Sequence, residues 1–257
     1  MIAPVSMRNK SLFLHLGPGM NAEPEKLAFS KANPHITFWN QPLINSALTA
    51  FDVLTKEAKK QIEILSHDSH KVNLIGHCFG ASVAVECLRT HAEYIEECQL
   101  IAPTFCMNEF LVSLLKALGQ RTDTSEELKE KISSFLTAPY TPELFWEGYK
   151  LIMQDANFSR CYWYSSEKQK IYQTFAQNLS FDEMTFKNVV DDFLGLNLHK
   201  KLPAFSGKVS FVIGNQDSIL KDSATLNLAK SHYKNSSTSL VENSSHYPHF
   251  ETTVPFI

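Results

Sequence analysis

No apolar run in this sequence approaches the ~18–20 residues that a spanning helix needs, so no segment reads as a membrane helix. Basic residues are not in excess either. The net charge of the 257-residue chain is −3, which gives nucleic acid and anionic membranes no electrostatic attraction. Cysteine is sparse and unpatterned. The five residues Cys78, Cys87, Cys98, Cys106 and Cys161 are odd in number and show no C-x-x-C spacing. That argues against a disulfide framework or a zinc site and for a reducing compartment, the cytoplasm. A G-x-G-x-x-G turn after a strand and a P-loop are both missing, so no cofactor is implied. Near the start, Pro4, Arg8 and Lys10 occupy the place where a signal peptide would carry its apolar stretch. Repeats and low-complexity linkers are absent. The 44% hydrophobic and 20% charged residues describe an ordinary globular chain, long enough for one large domain with an insertion.

The first third alternates strands with helices. Strands are expected over residues 11–15 (SLFLH), 35–39 (HITFW), 72–75 and 98–102 (CQLIA), and helices over 23–32, 46–66 and 81–90. In the long helix Ala47, Ala50, Phe51, Leu54, Ala58, Ile62 and Leu65 recur at three- and four-residue steps, the period of an amphipathic helix. This alternation implies right-handed crossovers and a parallel sheet covered on both faces. From about residue 104 to 202 no strand is evident, only helical segments, with starts at Thr124-Ser125 and at Thr141-Pro142-Glu143. Strands resume at 209–213 (VSFVI) and 238–241, with a helix over 223–232 between them. The chain therefore reads as an α/β core, residues 1–103 and 203–257, interrupted after the fourth strand by a helical cap over 104–202. The cap is rich in aromatics, which suggests an apolar pocket. The candidates to line it are Phe105, Phe145, Trp146 and Tyr149, with His77 beside them.

Gly76-His77-Cys78-Phe79-Gly80 follows the apolar strand 72–75 and precedes a helix. This is the pattern of a nucleophile elbow, in which a strained turn presents the central residue and its neighbours two positions away must be small. Gly76 and Gly80 meet that demand. The central residue is usually serine; here it is cysteine, a residue that after a strand is also a common small core filler. A cysteine nucleophile needs a base, an acid to orient that base, and donors for the oxyanion, all from loops at the carboxyl ends of other strands. Asp217 follows the strand 209–213 in Gly214-Asn215-Gln216-Asp217, with Asp222 a rival one turn on. His246 follows the last strand, in the order nucleophile, acid, histidine, with His249 a rival three residues later. His-x-x-His without a supporting carboxylate pattern gives no metal site. Leu16-Gly17-Pro18-Gly19 after the first strand can offer one oxyanion donor from Gly17, and the amide of Phe79 a second.

HLGPG at 15–19, GHCFG at 76–80, GNQD at 214–217 and SHYPHFE at 245–251 occur in order and in register. Together they resemble the α/β-hydrolase superfamily, in its capped branch with an HGGPG-like loop (proline-iminopeptidase-like proteins and related esterases). The resemblance implies Cys78 as nucleophile, His246 as base, Asp217 as acid, and Gly17 and Phe79 as oxyanion donors. Leu16 departs from the first glycine of HGGPG, and Trp39-Asn40-Gln41-Pro42 stands where many relatives carry an arginine-glycine turn. The stretch before the first strand is too short for the two extra antiparallel strands of the full fold, so a sheet of about six strands is expected.

A thiolate at a helix N-terminus is stabilised by the helix dipole and by a neighbouring imidazolium. The expected function is cleavage of an ester, lactone or thioester through an acyl-Cys78 intermediate. Cysteine elbows of this form resemble those of dienelactone-hydrolase-like enzymes and some thioesterases. Two alternatives stay open: transfer of the acyl group to an acceptor other than water, acting as an acyltransferase or cyclase, and a non-catalytic member that kept the pocket. The expected partner is a small acyl substrate, free or carrier-bound.

Overall fold

The computed structural model describes residues 9–69, 71–137, 144–196 and 198–257. Among them six strands form one sheet: β1 (Ser11–Leu14), β2 (Ile36–Trp39), β3 (Val72–His77), β4 (Ile95–Ile101), β5 (Lys208–Gly214) and β6 (Ser236–Val241). Their order is β2-β1-β3-β4-β5-β6, and every pairing is parallel. The chain steps from β1 outward to β2, then returns to place β3 on the other side of β1. A crevice opens beyond the carboxyl ends of strands at such a reversal. Leu14 pairs with Gly76, so the loops after β1 and β3 emerge side by side at that point.

The strands sort their residues by the two-residue period of a sheet. Leu12 and Leu14, Leu74, Leu100, and Val209 and Phe211 face one core, whereas Phe13, Ile75, Ile101 and Val212 face another. Parallel sheets are buried on both faces, and β1 and β3 are buried along their whole length. The second face is covered in part by Val254, Phe256 and Ile257. The Ser11 hydroxyl donates to the Ile257 carbonyl at 2.6 Å, and the Gln99 amide to the Pro255 carbonyl at 3.0 Å. The Ser- and Thr-rich edge strand β6 is largely exposed.

Helices α1 (Glu23–Phe29), α2 (Ala50–Ser69) and α3 (Phe79–His91) join the first four strands. Between β4 and β5 run α4 (Met107–Gln120), α5 (Glu126–Thr137), α6 (Phe145–Ile152), α7 (Ser166–Phe175) and α8 (Glu183–Gly195). Then come α9 (Ala224–His232) and the short α10 (Pro248–Glu251). Ser125 caps α5, its hydroxyl accepting the Leu128 amide at 3.3 Å. The start expected at Thr141-Pro142-Glu143 lies outside the described residues. Phe181 of the helical segment makes an isolated antiparallel bridge to Met20, in the loop after β1.

The expected helix over 46–66 begins later, at Ala50. Its first turn is held from a distance, because the Asp192 carboxylate of α8 accepts the Phe51 amide at 2.8 Å. Anions are favoured at helix N-termini, so α8 decides where α2 begins. Phe51, Phe79 and Phe193 then pack in a triangle with ring centroids 4.9 to 5.9 Å apart, joining α2, α3 and α8. The last helix of the segment between β4 and β5 is thus bound to the layer over the sheet.

Gly80 packs α3 against β1. A Cβ there would lie 2.1 Å from the Leu14 carbonyl oxygen and 2.7 Å from that of His15. Gly80→Ala is expected to cost about 2–4 kcal/mol, since neither backbone can yield without moving a central strand. Gly195→Ala, where an added Cβ meets nothing within 4 Å, is expected to be neutral or to add up to ~1 kcal/mol. Urea denaturation of the two variants checks both.

Candidate active site

The site is built on the turn between β3 and α3. Cys78 sits at φ 53, ψ −117, a region that L-residues rarely adopt. Three hydrogen bonds hold it there. Its amide donates to the Ile101 carbonyl at 3.0 Å, and its carbonyl accepts the amides of Ala81 and Thr104, both at 3.1 Å. The flanking glycines are obligatory on steric grounds: a Cβ on Gly76 would approach the Cα of Ala81 and the carbonyl oxygen of Gly80 to 2.7 Å.

Asp217 and His246 meet on the loops after β5 and β6. The Nδ1 of His246 lies 2.8 Å from Oδ2 of Asp217, with both side chains fully buried. A carboxylate only accepts, so Nδ1 carries a proton. The other oxygen of Asp217 accepts the amides of Ile219 at 3.0 Å and Leu220 at 3.3 Å, which fixes the carboxylate. Asp222 is exposed on the surface beyond this turn. The Nε2 of His246 makes no hydrogen bond among the described residues and has Cys78 as its electrostatic neighbour. Burial pulls the His246 pKa down, but the Asp217 carboxylate and the Cys78 sulfur outweigh it and push the ring up to about 10.

The rival His249 is on α10, buried among Phe13, Phe29 and Phe256. Burial, then the charge of His246, takes its pKa down to about 3. It has no aspartate to orient it among the described residues.

Cys78 opens onto a cavity of about 280 Å³. Leu16, Gly17 and Phe79 line it together with Cys78. Gly17 has φ 61, and Phe79 is the first residue of α3, where the helical amides have no intrahelical acceptor. The rest of the wall is apolar and comes largely from α4, α6 and the chain around α8. Among the described residues no charged side chain lines it.

Of the expected lining residues, Phe145 and Tyr149 reach the cavity and His77, Phe105 and Trp146 do not. Helical geometry explains the split on α6, where residues four apart share a face and the next residue turns about 100° away. The Trp146 indole N–H donates to Asp191 at 2.7 Å, away from the cavity. Phe105 is packed into the core at the end of β4. His77 shares the sheet face of Ile75, opposite to the cavity, and its Nε2 lies 2.9 Å from the His246 carbonyl.

Sequence reasoning missed three neighbours. The Thr104 hydroxyl lies 3.5 Å from the Cys78 sulfur. The Tyr162 carbonyl accepts the His246 amide at 3.1 Å, and its ring stands 5.6 Å from the imidazole. The Glu251 carboxylate accepts the amides of Tyr164, Ser165 and Ser245 at 2.6 to 2.8 Å, tying the His246 loop to the helical segment. Trp163 stacks on Tyr247 at 4.3 Å across the same seam. Glu251, inside the SHYPHFE stretch, and Tyr162, one of the cap's many aromatics, left a signal in the sequence; Thr104 left none.

The raised pKa of His246 has a signed consequence. The folded chain binds this proton more tightly than the unfolded chain, where histidine titrates near ~6.5. The stabilisation is therefore complete below that pH and is lost as pH rises toward about 10. Asp217→Asn removes the largest raising influence. The His246 pKa measured by NMR is expected to fall in that variant, and the loss of stability between neutral and alkaline pH to flatten.

No protein-family model matches the chain, and no curated protein matches it in sequence. Solved structures do match it in shape. A proline iminopeptidase-related protein from Thermus thermophilus is 18% identical, with a TM-score of 0.73 over 95% of this chain and 85% of that one. The proline iminopeptidase of Mycobacterium smegmatis is 13% identical, with a TM-score of 0.67 over 94% and 84%. An esterase from Exiguobacterium antarcticum is 12% identical, with a TM-score of 0.59 over 92% and 85%. With its six-stranded parallel sheet flanked by helices and these neighbours, the chain has the α/β-hydrolase fold.

Proposed function

We propose that this chain is a hydrolase that cleaves an ester, lactone or thioester of an apolar acid through an acyl-Cys78 intermediate. The observation that carries the reading is the buried line from Asp217 through His246 to Cys78, ending at a strained turn that opens onto an apolar cavity. The likeness to proteins named as an esterase and as proline iminopeptidases is in keeping with hydrolysis.

His246 Nε2 takes the thiol proton, and Asp217 holds the resulting imidazolium by its Nδ1–H. The sulfur attacks the substrate carbonyl carbon, forming a C–S bond while the carbonyl π pair moves onto oxygen. The amides of Gly17 and Phe79 donate to that oxyanion. A donor of this kind contributes about 10²–10³ in rate in other enzymes. Collapse expels the alcohol or thiol, which leaves with the proton from Nε2, and an acyl thioester remains on Cys78. Water, deprotonated by His246, attacks the thioester carbonyl; the C–S bond breaks, the carboxylic acid leaves and the sulfur regains the proton from Nε2.

The cavity constrains the acyl group. Its volume of about 280 Å³ is at the small end of ligand pockets, which span about 300–1,000 Å³, and suits a short acyl group. With no charged side chain among the described lining residues, a carboxylate or ammonium would be desolvated without a counter-charge. The helical segment over 104–202 then serves as the cap that shapes the pocket. The same dry walls favour the second reading, capture of the acyl group by an amine or thiol, because they limit the access of water to the thioester.

An aryl hexanoate or its thioester is expected to leave an acyl adduct on the intact protein, visible by mass and blocked by iodoacetamide. Cys78→Ala and His246→Ala are expected to abolish turnover, and Asp217→Asn to lower it by about 10²–10⁴. An ester of similar length ending in a carboxylate should react at least about tenfold more slowly, ~1.4 kcal/mol of lost transition-state binding. Full turnover by Cys78→Ala would refute the nucleophile, and preference for the charged ester would refute the substrate class. A product carrying an added amine would move the assignment to acyl transfer.

A further inference from the structure

Behind the candidate triad, on the sheet face that carries Phe13 and Ile75, three further side chains converge. Glu25 comes from α1, His77 from the end of β3 and His249 from α10. All are buried, with exposures of 0%, 0% and 3%. One ligand atom from each lies within 4.8 Å of the others. The protonation of His77 follows from a single contact. Its Nε2 meets the His246 carbonyl at 2.9 Å, and a carbonyl can only accept. Nε2 is therefore the N–H, and in the neutral ring Nδ1, which has no partner among the described residues, carries the lone pair open to a ligand.

That Nδ1, both ring nitrogens of His249 and both carboxylate oxygens of Glu25 have no hydrogen-bond partner among the described residues. Unsatisfied buried polar atoms cost about 1–3 kcal/mol each, and this group has five of them in one place. Around it the walls are aromatic: Phe13 and Phe29 pack on His249 at 6.1 and 5.9 Å, and Tyr247 stands 4.9 Å from His77. Two imidazoles and one carboxylate suit a borderline divalent cation that takes nitrogen and oxygen together. Ligands about 2.0–2.2 Å from zinc lie roughly 3.4 Å apart in a tetrahedral site, so atoms within 4.8 Å of one another need to close by at most about 1.4 Å.

We propose that Glu25, His77 and His249 bind one zinc ion in a buried site, the three protein ligands leaving the fourth tetrahedral position to a water molecule. The ion would join α1, β3 and α10 beneath the loop that carries His246. By occupying Nδ1 of His77 it would hold the Nε2 proton on the His246 carbonyl, orienting the loop as outer partners of metal ligands do. The site is separate from Cys78 and rests on binding, so it stands or falls independently of turnover. The sequence conceals it because the three ligands lie on three elements far apart in the chain. The His-x-x-His of the last loop is misleading here, since His246 and His249 point into different sites.

The test strips the purified full chain with a chelator, then titrates it with zinc and with cobalt, reading bound metal by mass spectrometry and the cobalt visible spectrum. One equivalent per chain is expected for the wild type and for Cys78→Ala, with a tetrahedral cobalt spectrum and a zinc-dependent rise in Tm. Glu25→Gln and His249→Gln are expected to weaken zinc binding at least tenfold and to lose the Tm rise. The proposal is overturned if the wild type takes up no metal, or if both Gln variants bind as tightly as it does. It is equally overturned if binding disappears in Cys78→Ala and persists in Glu25→Gln, which would put zinc between Cys78 and His246. Should a Gln variant fail to fold, stoichiometry and cobalt spectrum in the wild type and Cys78→Ala decide the matter.

Discussion

The backbone of Cys78 is the constraint on which the rest depends. A residue held at φ 53 stores strain of about 1–3 kcal/mol, and it persists only because β4 and α3 tie it on both sides. The Ile101 carbonyl receives its amide while the amides of Ala81 and Thr104 claim its carbonyl. Those bonds require α3 to start directly under β1, which the missing Cβ of Gly80 permits. They also require β4 to end beside β3, so that Thr104 can stand next to the sulfur. Sheet order, helix packing and the placing of one sulfur at the cavity wall are thus parts of one geometric solution.

A second constraint is electrostatic. His246 and Asp217 are buried as a pair, which is tolerable because the carboxylate is met by two backbone amides as well as by the imidazole. The loop that carries His246 is tied to the helical segment, whose Tyr162 carbonyl accepts the His246 amide and whose Tyr164 and Ser165 amides donate to Glu251 of α10. That segment therefore acts on the histidine as well as on the cavity. It holds His246 while α4 and α6 supply much of the apolar wall.

How much could be read beforehand depended on how local each determinant was. The elbow was legible because its demands fall within five residues: small side chains at Gly76 and Gly80 and a reactive atom between them. Asp217 was legible as a polar residue on the loop after the buried strand β5, and His246 as one on the loop after the last strand. The lining of the cavity was only half legible. Phe145 and Tyr149 face it, but Trp146 is rotated away on the same helix and His77 points through the sheet to its other side. Composition marks a segment as aromatic; the phase of each helix decides which rings look inward. The start of α2 was misplaced for a similar reason, since its first turn is held by Asp192 from α8.

By itself the sequence determined the parallel α/β architecture, the turn at Cys78 and the order in which cysteine, aspartate and histidine arrive. Each follows from periodicity, steric size or position after a strand, all properties of neighbours in the chain. Only the tertiary structure decided which of two histidines meets Asp217, which aromatics enclose the cavity, and that Thr104, Tyr162 and Glu251 support the site. It also gathered Glu25, His77 and His249 behind the sheet. Such choices depend on which elements pack together and in what rotation, and distant segments acquire that relation only when the apolar faces of sheet and helices close on one another.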